Sequence, residues 1–275
     1  MRFGIILPQF GGSWPEVAAV ARRAEATGYD AVWASDHLLG VPEPETPVLE
    51  GWTTLAALAG ATERIGLGTL VLASTFRPPR VLAKAAQTLA EIAGPRLVLG
   101  LGAGWYEAEH RAFGLDFPPL RARRRRLEET VDAVRELAPA VPLLVGGAGT
   151  PTIELAARKA DRWNAPGDRL DDLPELVARF EERRRAAGRE VAIVSRVGVL
   201  LEATEAEARL ARRTNPWTRV GLGPLGLVGD PDEIARRIEL HRALGVSELV
   251  LGFSRRDLET GAPERLAETV LARFR

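Results

Sequence analysis

Short apolar runs alternate with amphipathic stretches from one end of this 275-residue chain to the other, and they do so eight times. Strand-like runs fall at about 2–8, 31–35, 65–73, 96–102, 142–147, 162–165, 191–201 and 247–253. Helix-like stretches fall at about 14–27, 51–62, 79–93, 120–138, 151–160, 171–187, 230–244 and 263–274. The strand runs are apolar without interruption, as in Arg96-Leu97-Val98-Leu99-Gly100-Leu101. A parallel strand covered on both faces requires that. Eight β/α pairs predict an α/β fold, one closed (β/α)8 TIM barrel spanning 1–275 as a single domain. Element ends agree. Ser13 with Glu16 predicts a capping box, and Gly28 ends that helix. Asp230-Pro231-Asp232-Glu233 repeats the device, with Gly245 closing the helix. The least regular segment, 203–228, holds Asn215-Pro216-Trp217 and Gly221-Leu222-Gly223-Pro224. A Gly/Pro-rich excursion of that length is expected to be a lid or substrate loop.

Composition removes several function classes. An apolar content of 46% supports a large core. The 37 basic and 37 acidic residues cancel, so no global field favours nucleic acid or an anionic membrane. With no cysteine there is no disulfide, thiolate metal site or cysteine nucleophile, and redox chemistry needs a bound cofactor. Met1-Arg2-Phe3-Gly4-Ile5-Ile6 reads as a first strand and not as a leader, and no apolar run approaches the ~20 residues that cross a bilayer. A cytoplasmic protein is expected. The run Arg121-Ala122-Arg123-Arg124-Arg125-Arg126 looks like a basic patch. Leu120, Leu127, Val131 and Val134 form one helical stripe beside it and Glu128 and Glu129 follow, so it reads as a solvated helix face.

A barrel of this kind works at the C-terminal ends of its strands. Pro8-Gln9-Phe10-Gly11, Ser35-Asp36-His37-Leu38, Ala73-Ser74-Thr75-Phe76-Arg77, Gly102-Ala103-Gly104-Trp105, Gly146-Gly147-Ala148-Gly149-Thr150 and Asn164-Ala165-Pro166 follow the first six strands. His37 alone of three histidines ends a strand, where it can exchange a proton near neutral pH. His110 and His241 lie in helical stretches and read as structural or surface residues. Glu50 ends a Pro-rich loop, 42–50, and is a second acid/base candidate; Glu107 and Glu109 either reach the site or cap a helix. Trp33 reads as core, and Trp105 stands between ring contact and packing. The turn from Gly146 to Pro151 offers backbone N–H groups to a cofactor phosphate. Gly100-Leu101-Gly102-Ala103-Gly104 lacks the G-x-G-x-x-G spacing of a nicotinamide site. One histidine at a strand tip is too few for a metal hydrolase, and no metal site is expected.

Phe3-Gly4-Ile5-Ile6-Leu7-Pro8-Gln9 and Gly28-Tyr29-Asp30-Ala31-Val32-Trp33-Ala34-Ser35-Asp36-His37 resemble the opening of luciferase-like F420-dependent oxidoreductases. Ala61-Thr62-Glu63-Arg64-Ile65-Gly66-Leu67-Gly68-Thr69, Arg96 to Trp105, Gly146 to Gly149 and Ala160-Asp161-Arg162-Trp163-Asn164 continue the resemblance along nearly the whole chain. It implies a bacterial-luciferase-like barrel with the deazaflavin ring deep at the strand ends. It implies that Asp36 binds the cofactor, that His37 donates a proton near the ring, and that Ala103 and Gly104 line the ring or its side chain, beside which Trp105 is a candidate cofactor contact by its strand-end position. It implies that Gly147, Ala148, Gly149, Pro151 and Thr152 hold the ribityl phosphate. A non-proline cis peptide at Leu70–Val71, behind the ring, is implied as well, as is a homodimer. In the sugar-phosphate branch of the family a Glu after the second Gly-rich strand acts as base; Trp105 stands there here, so glucose-6-phosphate is not the expected substrate. The expected reaction is hydride transfer between F420 and a small organic substrate. An FMN-dependent monooxygenase using O2 and a separate reductase, and a non-catalytic flavin-binding barrel, are the alternatives.

Overall fold

The computed structural model describes residues 1–166, 171–201, 204, 206 and 226–275. The first half of the chain runs β1 (Arg2–Ile6), α1 (Trp14–Ala26), β2 (Ala31–Ala34), α2 (Gly51–Ala61), β3 (Gly66–Thr69), β4 (Leu72–Ala73), α3 (Pro79–Ala93), β5 (Leu97–Gly102), α4 (Glu107–Ala112) and α5 (Leu120–Leu137). The second half runs β6 (Leu143–Gly146), α6 (Thr150–Lys159), β7 (Arg162–Pro166), α7 (Leu173–Ala186), β8 (Ala192–Leu201), β9 (Leu227–Gly229), α8 (Pro231–Ala243), β10 (Val246–Gly252), α9 (Arg255–Glu259) and α10 (Ala262–Thr269). The hydrogen-bonded order is β1-β2-β3-β5-β6-β7-β8, and β10 pairs with both β8 and β1. Every pairing is parallel, so the sheet closes as an eight-stranded barrel.

Three local features differ from the sequence reading. The expected third strand, 65–73, breaks at a cis Leu70–Val71 peptide, the bond that the family resemblance implied, and resumes as β4 beside β5. Helices α4 and α9 span six and five residues, too short to show a helical period in the sequence. Within the expected lid, Leu227 and Val228 are not loop: β9 pairs with Val199–Leu201 at the end of β8. The rest of that segment, Thr204, Ala206 and Gly226 apart, lies outside the described residues. The helix caps are as expected. Glu16 accepts from the Ser13 N–H at 2.6 Å and its hydroxyl at 2.8 Å, and Asp230 accepts from the N–H groups of Asp232 and Glu233. Among the described residues no helix is long and apolar enough to cross a membrane.

Strand residues alternate between a shell packed under the helices and a small cluster inside the barrel. The inner cluster is Ala31, Trp33, Val98, Leu144, Val194 and Val250. Trp33 is fully buried and lies across the barrel interior. It fits because its neighbours lack side chains: a Cβ on Gly4 would sit 2.5 Å from its Nε1, and one on Gly68 2.3 Å from its Cε3. The Trp33 indole N–H donates to Glu248 Oε1 at 3.2 Å, and Glu248 Oε2 accepts from Arg162 at 2.6 Å. Burial pushes the Glu248 carboxyl above its usual range, and the charges of Arg162 and Arg2 oppose that. This plug fills the lower barrel and leaves the C-terminal mouth for a ligand.

Candidate active site

At the mouth the inward positions of β5 and β6 are Gly100, Gly102 and Gly146, and the side chain of Val71 occupies the room they leave. A Cβ on Gly102 would lie 2.5 Å from Val71 Cγ2, and one on Gly146 3.0 Å from Val71 Cγ1. Leu70 and Val71 pack on the inner cluster, so the broken strand forms one wall of the mouth. On the opposite wall a Cβ on Gly252 would meet nothing closer than 3.6 Å. Between them, on β7, Trp163 turns outward to stack on Phe180 at 4.4 Å, which turns Asn164 inward. Asn164 Oδ1 is buried and has no hydrogen-bond partner. A buried acceptor of that kind is a place for a ligand donor.

His37, just past β2, stands at this mouth with 12% of its side chain exposed. Its Nδ1 lies 3.1 Å from Glu109 Oε2, and the Leu38 N–H donates to the same oxygen at 3.0 Å. Glu109 projects from α4 and is buried. A carboxylate at Nδ1 selects the tautomer with the proton there and leaves Nε2 to exchange one. Phe10, Trp105 and Tyr106 surround the imidazole, with centroids 5.6, 5.8 and 6.5 Å away. Trp105 is 45% exposed, so it forms the rim of the site.

Asp36 and Glu50 differ from their expected parts. The Asp36 side chain is fully enclosed, and it accepts from the Ala73 N–H at 2.9 Å and from both terminal nitrogens of Arg77 at 3.0 and 3.1 Å. Its carboxylate is engaged by these protein groups on both oxygens. Burial pushes its carboxyl upward, against Arg77 and the Ala73 amide. Glu50 caps α2, accepting from the N–H groups of Trp52 at 3.0 Å and Thr53 at 2.7 Å, and it also pairs with Arg77. Its partial burial is outweighed by the Thr53 and Trp52 bonds and by Arg77, which together hold it below the usual carboxylate range. Such a group stays ionised and is a helix cap, not the acid/base residue that the loop position suggested.

The 103–106 turn is held from behind. Gly104 has φ +74°, and a Cβ there would lie 2.6 Å from Thr75 Oγ1. Arg123 donates to Gly104 O at 3.3 Å and Pro118 O at 2.6 Å, and lies 3.9 Å over the Phe117 ring. His110 is structural, as expected: Nδ1–H donates to Tyr106 O at 2.8 Å, and Nε2 accepts from Thr75 Oγ1–H at 2.7 Å. Ala103 packs against the outer core.

After β6, Gly147 takes φ +141°, where a Cβ would lie 3.0 Å from Thr152 Cγ2, and its carbonyl accepts from the Trp163 indole at 2.9 Å. Gly149 is the N-cap of α6, and Pro151 stands at the second position of the helix. The N–H groups of Ala148, Gly149 and Thr150 have no acceptor among the described residues. A Cβ on Gly149 would lie 2.9 Å from Arg124 Nη2, and Arg179 donates to the Thr150 hydroxyl from the other side. Free amides at a helix start between two guanidinium groups can bind a phosphate. This turn and His37 both follow C-terminal ends of parallel strands, so they open on the same face.

Sequence reasoning left Glu109 open and gave no role to Arg77, Asn164, Arg123 or Arg124. Strand-tip position was a signal for Arg77 and Asn164. Arg123 and Arg124 were hidden in a charge run whose members face different ways on the helix.

Residues 1–140 and 135–221 match the family model described as luciferase-like monooxygenase. An F420-dependent glucose-6-phosphate dehydrogenase of Nakamurella multipartita is 30% identical over 264 residues, covering 83% of this chain and 75% of that protein. An F420-dependent hydroxymycolic acid dehydrogenase of Mycobacterium tuberculosis is 29% identical over 239 residues, covering 78% and 66%. Among solved structures, an F420-dependent secondary alcohol dehydrogenase in complex with an F420-acetone adduct superposes with a TM-score of 0.85 at 19% identity, covering 98% of both chains. A monooxygenase from Streptomyces bottropensis superposes with a TM-score of 0.80 at 23% identity, covering 100% of both. With the family model spanning four-fifths of its length and the closed barrel to match, this chain belongs to the luciferase-like monooxygenase family.

Proposed function

We propose that this protein is an F420-dependent oxidoreductase that exchanges a hydride between the deazaflavin and a small organic substrate. The observation that carries the reading is the shared mouth: a His37–Glu109 pair and an anion-binding turn open on one glycine-lined cradle. The cradle fits the cofactor in two respects. Asn164 Oδ1 is an unsatisfied buried acceptor for a ring N–H, and the 147–152 turn with Arg124 suits a phosphate. Val71 would back the ring, with Leu70, Ala103 and Gly104 at its edge. The bound deazaflavin supplies the hydride acceptor or donor. The relatives named for F420 support this choice of cofactor.

The remaining work falls to residues of this chain. His37 Nε2 would take the hydroxyl proton of an alcohol substrate as it is oxidised, and would return a proton to the carbonyl oxygen in the reverse direction. Glu109 holds the imidazole ring and stabilises the imidazolium. Phe10, Trp105 and Tyr106 surround His37 with aromatic surface that excludes water and favours an uncharged substrate. Trp105, in place of the sugar-phosphate branch's Glu, argues against a glucose-6-phosphate substrate. A homodimer in the cytoplasm completes the proposal.

Fluorescence titration of the purified protein with F420 and with FMN tests the cofactor. Tight binding of F420 and weak binding of FMN is the expected result. Failure to bind F420, or no oxidation of reduced F420 with any carbonyl acceptor, sinks the reading. His37→Ala is expected to bind F420 as before and to lose turnover about a hundredfold. Unchanged turnover would remove His37 from the chemistry.

A further inference from the structure

A groove of about 650 Å³ lies on the outer side of the barrel where α5, α6 and α7 meet. It begins at Pro151 and Thr152, beside the anion-binding turn, and reaches Arg158 and Arg183. That span is the length of α6, about 15 Å for ten residues. Five arginines and two glutamates line it. Arg158 pairs with Glu128 at 3.0 Å and Arg183 with Glu154 at 3.4 Å, which accounts for both glutamates. Arg121 and Arg124 have no ion-pair partner among the described residues. The arginine run that the sequence presented as a solvated face is therefore divided. Arg123 turns inward to the 103–106 turn, Arg125 lines the groove but pairs with Glu129, and Arg121 and Arg124 line it without an ion-pair partner among the described residues.

We propose that this groove binds the acidic chain that F420 carries beyond its phosphate, an inference that rests on the cofactor reading above. F420 continues past its phosphate as a lactyl group and a chain of linked glutamates, each with a free carboxylate, whereas FMN ends at the phosphate. A phosphate at the α6 turn puts the next group at the groove entrance, beside Arg124. The arginines beyond it, spaced along α5 and α6, meet carboxylates spaced along a flexible chain, and guanidinium groups bind carboxylates through paired hydrogen bonds. The groove is open to water, so each contact adds little and the sum is sensitive to salt.

The test titrates the full-length protein with F420 bearing its glutamate chain and with F420 from which the glutamates have been removed. The wild type is expected to bind the long form about tenfold more tightly at low salt, with the difference shrinking at high salt. Arg121→Glu/Arg158→Glu is expected to erase that difference and to bind the short form within about twofold of the wild type. Arg121→Glu alone breaks no ion pair seen here and repeats the test if the double variant unfolds. Equal binding of both forms by the wild type, or equal weakening of both in the variants, overturns the proposal. Tripolyphosphate is expected to displace the long form more effectively than the short form, because it reaches the groove arginines as well as the turn. If it binds at these arginines while both cofactor forms bind alike, the groove serves a free polyanion and the proposal is overturned. Binding of neither form sinks the cofactor reading itself, whereas equal binding of both sinks the groove alone.

Discussion

The two ends of the barrel use the same residue type to opposite effect. In the lower interior, Gly4 and Gly68 make room for Trp33, and Glu248 joins that indole to Arg162 in a closed network. At the mouth, Gly102 and Gly146 make room chiefly for Val71, a Cβ on Gly252 would meet nothing closer than ordinary contacts at 3.6 Å, and Asn164 Oδ1 has no partner. The floor satisfies its polar groups within the protein and fills its volume, so it contributes stability. The mouth leaves acceptors and space unfilled, which lowers stability and supplies a binding surface. A strand glycine is thus ambiguous until the side chain that fills its space is known.

The sharpest way to break this contrast is to open the floor. Glu248→Ala leaves the partly enclosed Arg162 and the Trp33 indole N–H without their acceptor and is expected to cost about 3 kcal/mol or more in urea unfolding. A loss under about 1 kcal/mol would mean that the network is not what holds the floor. Gly68→Ala drives a methyl group into the Trp33 ring and is expected to cost about 3 kcal/mol. Its counterpart at the mouth, Gly252→Val, is expected to change stability by no more than about 1 kcal/mol. It should nevertheless weaken F420 binding at least about tenfold. Similar stability losses at the two positions would erase the distinction drawn here.

Within the mouth, Glu109→Gln removes the charge opposite His37 while keeping an acceptor for the Leu38 N–H. Turnover is expected to fall about ten- to a hundredfold with F420 affinity retained. Unchanged turnover would reduce Glu109 to a loop brace. The smallest effect belongs to Glu50. Its folded-state pKa is depressed, so its contribution to stability is present above the ordinary carboxylate value of 4.5 and is lost as pH falls through the folded value. Glu50→Gln is expected to lose about 1 kcal/mol at neutral pH, with the gap to wild type closing in acid and turnover nearly unchanged. A large loss of turnover would return Glu50 to the chemistry.

Much of this was legible in the sequence because it depends on local pattern. Continuous apolar runs separated by amphipathic stretches have few ways to bury both, and the caps at Ser13 and Asp230 are decided within four residues. His37 stood out because it alone of the histidines follows a strand. Glu50 misled because its loop position is shared by caps and catalytic acids, and only its bonds to Thr53, Trp52 and Arg77 separate the two. Glu109 stayed open because it lies 72 residues from His37, and no spacing rule joins a helix on one β/α unit to a strand tip on another.

By itself the sequence determined the eightfold β/α alternation and the positions of His37 and the 147–152 turn at strand tips, since each follows from periodicity or from position along a strand. Tertiary structure alone decided which carboxylate orients His37, that Asp36 is spent on Arg77, that Trp33 closes the floor, and that one run of arginines divides among three surroundings. Those outcomes depend on side chains meeting across elements distant in the chain, where close packing and charge pairing, and not local propensity, choose the partner.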